Sequence, residues 1–479
     1  MGDVNGSTHV FVSGTSSVWD VQGGGRAGYT KCAFTYVEIS GEAEVRHAAC
    51  GLVTDGNSSN NNITCSKGSK ILVADEPRIA MLFGAGYDTW ANPVYTNMRE
   101  GKSIDVEIRG GEIGFVYGGG YRGTVGSNGN ALTVTVTITG GKVLYDVFGG
   151  GRGGIDKMLR TASGKSPSGS GYLNSTGQSL VYGDVTVNIS GNAVINGNVY
   201  GGGESVPRLT RYYGTTFTNN DTTTDVAKVI GNTSVNVSGS AVIKGGVFGA
   251  GKGIGFDGDG NIIGTYTPVT GSPVTYYYPK NLVLSTAIGD DGWKFLEWYN
   301  HSGESGSVQY DSAAASKTKY EEYAKTDKNA SVTITGGTIG TNDVAANVYG
   351  GGAYSKTTLN SSLEISGGTV IGDAYGGGLG RLTKDSVLGS SSVEISGGTI
   401  GNGTLGGTVY GGSAYGVTVG NTSAAMSGGT AHGDVFGGGL GAVGTTSAID
   451  SVRGNSSVNI SGTAVIDGNV YGGSAFGLN

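Results

Sequence analysis

The sequence predicts an all-β chain folded as a right-handed parallel β-helix, a β-solenoid with long loops and one inserted, mostly β subdomain. Three observations carry this expectation. First, a two-part unit recurs: an alternating strand ending in Ser/Thr-Gly, then a short apolar strand ending in Val-aromatic-Gly-Gly-Gly, as in VNISGNAVINGNVYGGG (187–203). Second, V-x-I in the first part has period two, with β-branched residues on one side and Glu, Thr or Asn on the other, which is strand patterning and not helix. Third, glycine supplies 95 of 479 residues and proline only 7. Without a Gly-X-Y period that excludes collagen, and so little proline excludes a Pro/Gly-rich linker.

The repeat divides the chain. Residues 1–99 carry divergent copies, VFVSGTSSVWDVQGGG (10–25), VEISGEAEVRH (37–47) and ILVADEPRIAMLFGAG (71–86). Residues 100–251 carry clear copies separated by long polar loops at 152–182 and 204–231, where no strand is expected. Residues 252–330 break the repeat and are read as an inserted subdomain or lateral loop. Within it, GFDGDGNIIGTYTPVTG and VTYYYPKNLVLS suggest strands joined by a turn, and Ser312–Lys325 (SAAASKTKYEEYAK) is a helical run, rich in good helix formers and free of Gly and Pro. Residues 331–479 are regular repeats. Their glycine triplets begin at 350, 376, 411, 437 and 472, spaced 26, 35, 26 and 35 residues apart. Such periods indicate stacked units, each too small to bury its apolar face alone.

Stacking assigns each recurrent residue a task. Val106, Ile108, Val187, Ile189, Val393 and Ile395 should point inward. The aromatics before the triplets (Tyr117, Phe148, Tyr200, Phe248, Tyr349, Tyr375, Tyr410, Phe436 and Tyr471) should stack as a ladder. The alternative is an exposed aromatic strip that binds sugar rings. The ladder of Glu107, Thr137, Asn188, Asn236, Thr333, Glu364, Glu394 and Asn459 is expected to be the solvated face. Glycine should provide positive φ at corners and close backbone approach between triplets.

This glycine-rich unit resembles the repeats of large bacterial surface proteins and autotransporter-like adhesins built as right-handed parallel β-helices. The resemblance covers about residues 100–250 and 330–479, and more loosely the first 90. DDGWKFLEWYN (290–300) is similar to the Gly-aromatic-x-Phe-x-x-Trp-Tyr ending of small β-rich repeats in bacterial surface proteins. The resemblance implies an extracellular, elongated scaffold and transfers no catalytic residue.

Motifs for chemistry are few. The net charge of −7, with 14% charged residues, gives no generic attraction to nucleic acid or anionic membrane. No apolar run of about 18 residues suggests a membrane-spanning helix. The start, MGDVNGSTHV, lacks a signal peptide's basic and apolar regions, so the chain is read as a piece cut from a longer secreted precursor, with a cytosolic protein as the alternative. Cys32, Cys50 and Cys65 lack CxxC spacing and allow at most one intrachain disulfide, whose pairing stays open. Asp257, Asp259 and Asn261 begin like a calcium loop, but Ile262 and Pro268 occupy positions that need Gly and an acid, which leaves a β-turn. G-x-G-x-x-G at 23–28, 118–123 and 149–154 follows from glycine content, and TASGKS (161–166) has Leu159 where a phosphate loop needs Gly. The four histidines, His9, His47, His301 and His432, are scattered. Glu364 and Glu394 share a repeat position and can face one another across neighbouring units.

The resulting expectation is a non-enzymatic, extracellular or cell-surface protein. No catalytic, cofactor-binding or metal-binding residue is assigned, and no cofactor is expected. The chain is read as a segment or subunit of a bacterial surface fibre that self-associates end to end. VNISGTAVIDGNVYGGSAFGLN (458–479) runs in full register to its last residue, and neither end shows a polar cap. Partners are further copies or further coils of the same precursor, or a host or cell-surface glycan or protein, with no nucleic acid and no membrane insertion. Two alternatives stand beside this reading: an adhesin shaft presenting 252–330 to a glycan or protein, and a carbohydrate-active β-helix enzyme, lyase or hydrolase.

Overall fold

The computed structural model describes residues 6–25, 30–51, 67–88, 102–121, 123–154, 178–207, 225–256, 318–381, 384–441 and 451–476, with short strands at 2–3, 53–54, 63–65, 96–98, 209–212, 215–216, 281–284, 293–296 and 309–310. The chain is nearly all-β. One parallel sheet contains 29 strands, and among the described residues helix is confined to 318–320.

The alternating half of each unit pairs with the same half of the next. Starting at Ser7–Val12 and ending at Ser456–Ile460, twelve described strands follow one another in parallel register. The divergent N-terminal copies take part: Val10 lies opposite Val37, Val37 opposite Ile71 and Ile71 opposite Val106. Period-two alternation then places one apolar column above another. Val106, Ile108, Val187, Ile189, Val393 and Ile395 are each no more than 1% exposed, in one continuous cluster. Fully burying such a side chain stabilises by about 1.5–3 kcal/mol, and each is shared between two neighbours, so the gain exists only in the stack.

The second half of each unit pairs likewise. Its valine joins the main cluster, and its aromatic points to the opposite side into a second one. Rings stack from Phe83 through Tyr117, Phe148, Tyr200 and Phe248, with centroids 4.8–5.1 Å apart and planes within 11°. The stack continues through Tyr349, Tyr375, Tyr410 and Phe436 to Tyr471, at 4.7–5.2 Å. From Phe83 to Phe436 no ring is more than 8% exposed. The ladder is therefore an interior column, and the exposed sugar-binding strip is excluded for those rungs.

Glycine has its two tasks at separate positions. Gly398, between the halves of strand Ser391–Ile400, has φ 83, a conformation that side chains with a Cβ adopt only under strain. Gly411, first of its triplet, is not left-handed. A Cβ there would lie 2.3 Å from the carbonyl oxygen of Gly437 in the next unit.

Side-chain amides tie the rungs together at the turns, a feature the sequence reading did not foresee. Asn232, Asn329, Asn360 and Asn421 each accept, at Oδ1, a backbone N–H from the following unit, and the Ser390 hydroxyl accepts the Asn421 N–H. Examples are Asn329 N–H to Asn232 Oδ1 (3.2 Å), Asn360 N–H to Asn329 Oδ1 (3.1 Å) and Asn455 N–H to Asn421 Oδ1 (2.9 Å).

Three expectations need correction. The loops 152–182 and 204–231 contain strands, Arg152–Gly153 and Val181–Tyr182 in the first and Glu204–Ser205, Leu209–Tyr212, Thr215–Thr216 and Val229–Ile230 in the second. They are two to four residues long, too short for alternation to show, and Leu209–Tyr212 pairs antiparallel with Gln309–Tyr310 of the inserted region. Of the helical run Ser312–Lys325, residues 312–317 lie outside the described residues. The remainder holds one helical turn at 318–320 and then a turn at 321–324, because Tyr320, Tyr323 and Ala324 are recruited into an apolar cluster with Val226, Ala227 and Ile254. Tertiary packing here overrides local propensity. Finally, the Glu/Thr/Asn face is not uniformly solvated. Asn236 donates from Nδ2 to Asn188 Oδ1 at 2.9 Å. Glu107 lies 2.5 Å from Lys70 Nζ, and the hydrogen bond from that ammonium holds its carboxyl below the ordinary range despite burial.

Candidate functional site

On the outer face of the alternating strands, Glu364 and Glu394 are opposite one another on adjacent rungs, as their shared repeat position predicts. Neighbouring backbones in such a ladder are about 4.8 Å apart. Both side chains are exposed, so water screens their repulsion. They line a shallow open groove with Thr333, Ser396, Ala425 and Asn459. A second outward feature lies on the N-terminal rungs. The rings of His9, Phe11 and Tyr36 approach within 5.7–6.2 Å, Phe11 is 65% exposed, and Tyr36 donates to Glu38 Oε2 at 2.8 Å.

A cluster of charge lies beside the aromatic ladder, buried at its centre. After each glycine triplet a third column of parallel bridges runs Tyr121, Arg152, Glu204, Lys252, Ala353, Leu379, Ala414. Arg152 and Glu204 are both 0% exposed. Glu204 Oε2 lies 3.4 Å from Arg152 Nε and accepts from the Tyr117 hydroxyl at 2.7 Å. Its Oε1 lies 3.4 Å from Lys252 Nζ, which also reaches Asp146 Oδ2 at 3.3 Å. Burial pushes the Tyr117 hydroxyl far up, with the Glu204 carboxylate adding to the shift, so it stays protonated and remains a donor. Among the described residues two cations face two carboxylates. Sequence reasoning missed it because Arg152, Glu204 and Lys252 stand just beyond the triplets, where the links to the next strand differ in length and copies no longer align.

The histidines separate. His47 Nδ1 lies 2.8 Å from Asp20 and His432 Nδ1 lies 2.6 Å from Asp467. Each pair bridges neighbouring units, and the 35-residue separation of His432 and Asp467 is the local repeat spacing. His301, the Asp257–Asn261 turn and TASGKS lie outside the described residues. In G-x-G-x-x-G at 149–154, Arg152–Gly153 is a strand paired in parallel with Glu204–Ser205, and the residues that follow, 155–177, lie outside the described residues.

Cys32 and Cys65 are backbone register partners. Cys50 is fully buried, its thiol donates to the Lys70 carbonyl at 2.9 Å, and burial pushes it up to about 12. A thiol this far above its usual range stays protonated at neutral pH and is a poor nucleophile. Native protein treated with a thiol reagent at pH 8 should therefore leave Cys50 unlabelled, and denatured protein should label it fully. Peptide mass mapping checks this.

No family model, no curated protein and no solved structure matches the chain in comparisons with known proteins. The functional reading therefore rests on the geometry and on the repeat style of the sequence.

Proposed function

We propose that the chain is the shaft of an extracellular bacterial surface fibre, a right-handed parallel β-helix whose units stack coil on coil and associate end to end. The observation that carries this reading is the unbroken register of the stack: twelve described strands from 7–12 to 456–460 pair in parallel, and the apolar and aromatic columns pass through unit after unit. Interior columns are sealed by the next unit. At the rung 456–471, Ile460, Val465, Val470 and Tyr471 are 38–50% exposed, and a further unit, from another copy or from further coils of the same precursor, would continue the columns over them. An open parallel edge with apolar side chains is a template for another strand layer, and repeating such a heterologous contact builds an open filament. The placement outside the cell is supported by the resemblance of the repeat style. The alternative of an adhesin shaft presenting 252–330 is favoured by the antiparallel strands at 209–216 and 309–310, which stand outside the parallel ladder.

Gly472 provides the test. In every earlier unit from Gly118 onward, a Cβ at the first triplet glycine would meet the carbonyl oxygen of the next triplet at 2.1–2.5 Å, whereas Gly472 has nothing within 4 Å. Gly472→Ala should therefore fold normally yet fail to associate. Sedimentation velocity over a concentration series should show large species for the parent and monomer for the variant. Equal association by both would count against stacking at this face.

A further inference from the structure

We propose that the Arg152–Glu204–Lys252 column, fully buried at Arg152 and Glu204, is an order key, which makes repeat units stack in their chain order at the three described steps with the longest links. The units are nearly interchangeable in their two main columns. Val187 and Ile189 lie under Val235 and Val237, which lie under Val332 and Ile334, and Tyr200, Phe248 and Tyr349 follow in the ring stack. Nothing in those columns stops the unit at 330–349 from docking directly on the unit at 185–200, leaving 233–248 looped out.

Link lengths show where this danger lies. From the third column each unit runs to a fourth column of parallel pairs, through Val125, Val181, Val229, Thr326, Thr357, Val387 and Thr418. Tyr121 to Val125, Ala353 to Thr357 and Ala414 to Thr418 are steps of four residues, and Leu379 to Val387 is eight. Arg152 to Val181 is 29, Glu204 to Val229 is 25 and Lys252 to Thr326 is 74. The cost of closing a flexible link grows only with the logarithm of its length. A short link therefore forces the next unit into place, and a link already this long does not. The charged residues occupy these three rungs, and the short-link rungs carry Tyr, Ala, Leu and Ala.

The chemistry suits a key better than a stabiliser. Ala353, Leu379 and Ala414 show that an apolar side chain fills this column, and exchanging a buried ion pair for apolar residues is often neutral or stabilising. Order is what the charges add. In the native stack Glu204 lies between two cations. If the unit at 233–248 is skipped, Ala353 arrives over Glu204, and Lys252 is carried away with the looped-out segment. A buried carboxylate that loses a partner is penalised heavily, so the wrong stack is rejected before it is completed.

Cysteine pairs can read the order after refolding from denaturant under reducing conditions, followed by oxidation and peptide mapping. Asn188 and Asn236 are neighbours in the native ladder, with Asn236 Nδ2 2.9 Å from Asn188 Oδ1, whereas Thr333 is one rung further on. Backbones one rung apart, at about 4.8 Å, are within disulfide reach, and those two rungs apart are not. The parent carrying Asn188→Cys with Asn236→Cys should cross-link. The parent carrying Asn188→Cys with Thr333→Cys should give only background. In the background Arg152→Ala, Glu204→Leu, Lys252→Ala, which copies the short-link rungs, the 188–333 product should rise at least tenfold, and Glu204→Gln should raise it by a smaller factor. If neither background yields the 188–333 product above the parent level, whether or not the apolar variant folds, the column does not set unit order.

Discussion

Replacing Ile395 with aspartate is expected to leave the chain unfolded, while replacing its neighbour Glu394 with alanine should be nearly neutral. Ile395 is 1% exposed in the central apolar column, opposite Ile365 on one side and Met426 on the other. The change removes its burial and places a carboxylate where no partner is available. The lost burial is worth about 2–5 kcal/mol, and an unpaired buried charge costs several more. A domain's whole margin is about 5–15 kcal/mol. Neighbouring rungs share the contact, so the damage spreads along the stack. Glu394 is exposed on the same strand, and its removal also relieves repulsion with Glu364. Far-UV circular dichroism and urea titration of the two variants check this. Equal damage from both would mean that the strand faces the other way.

Gly411→Ala should be almost as severe, although it adds a single methyl group. The new Cβ would sit 2.3 Å from the Gly437 carbonyl oxygen and 2.7 Å from the Ser423 carbonyl carbon. Both obstacles are backbone, so relief requires separating two rungs whose hydrogen bonds hold them together. Overpacking alone costs about 1–3 kcal/mol. Here the lost pairing of Gly411 N–H with the Phe436 carbonyl, now at 2.9 Å, and the disturbed stacking of Tyr410 on Phe436 add to it. A fall in the unfolding midpoint beyond that of an average surface variant is expected. Unchanged stability would mean that the triplets are less closely stacked than described.

Much of this architecture was legible because its signals repeat. Val106 and Ile108 recur as Val187 and Ile189 and again as Val393 and Ile395, so period two identified the core column. The aromatics before the triplets announced their stack, and only Phe83 escaped notice, in a divergent copy. What stayed hidden lies where repeats lose alignment or where the deciding contact is between distant residues. Nothing in the sequence marks Asn232, Asn329 and Asn360, since the backbone N–H each receives belongs to the following unit. Arg152, Glu204 and Lys252 stand at the start of links of 29, 25 and 74 residues, so only the folded register reveals that they touch. The run KYEEYAK looked helical by composition, but Tyr320 and Tyr323 find more burial against Val226 and Ile254 than a longer helix would give them. Glu364 and Glu394 were placed together correctly, since they occupy one column of one repeat.

Electron microscopy of the purified protein at high concentration tests the central claim most directly. The twelve described rungs, at about 4.8 Å each, rise about 58 Å along the stack. Unbranched filaments with an axial repeat near that length are predicted, lengthening as concentration rises and absent for Gly472→Ala. Single short rods at every concentration, or filaments whose repeat does not match the length of the stack, would contradict the proposal that these units join end to end.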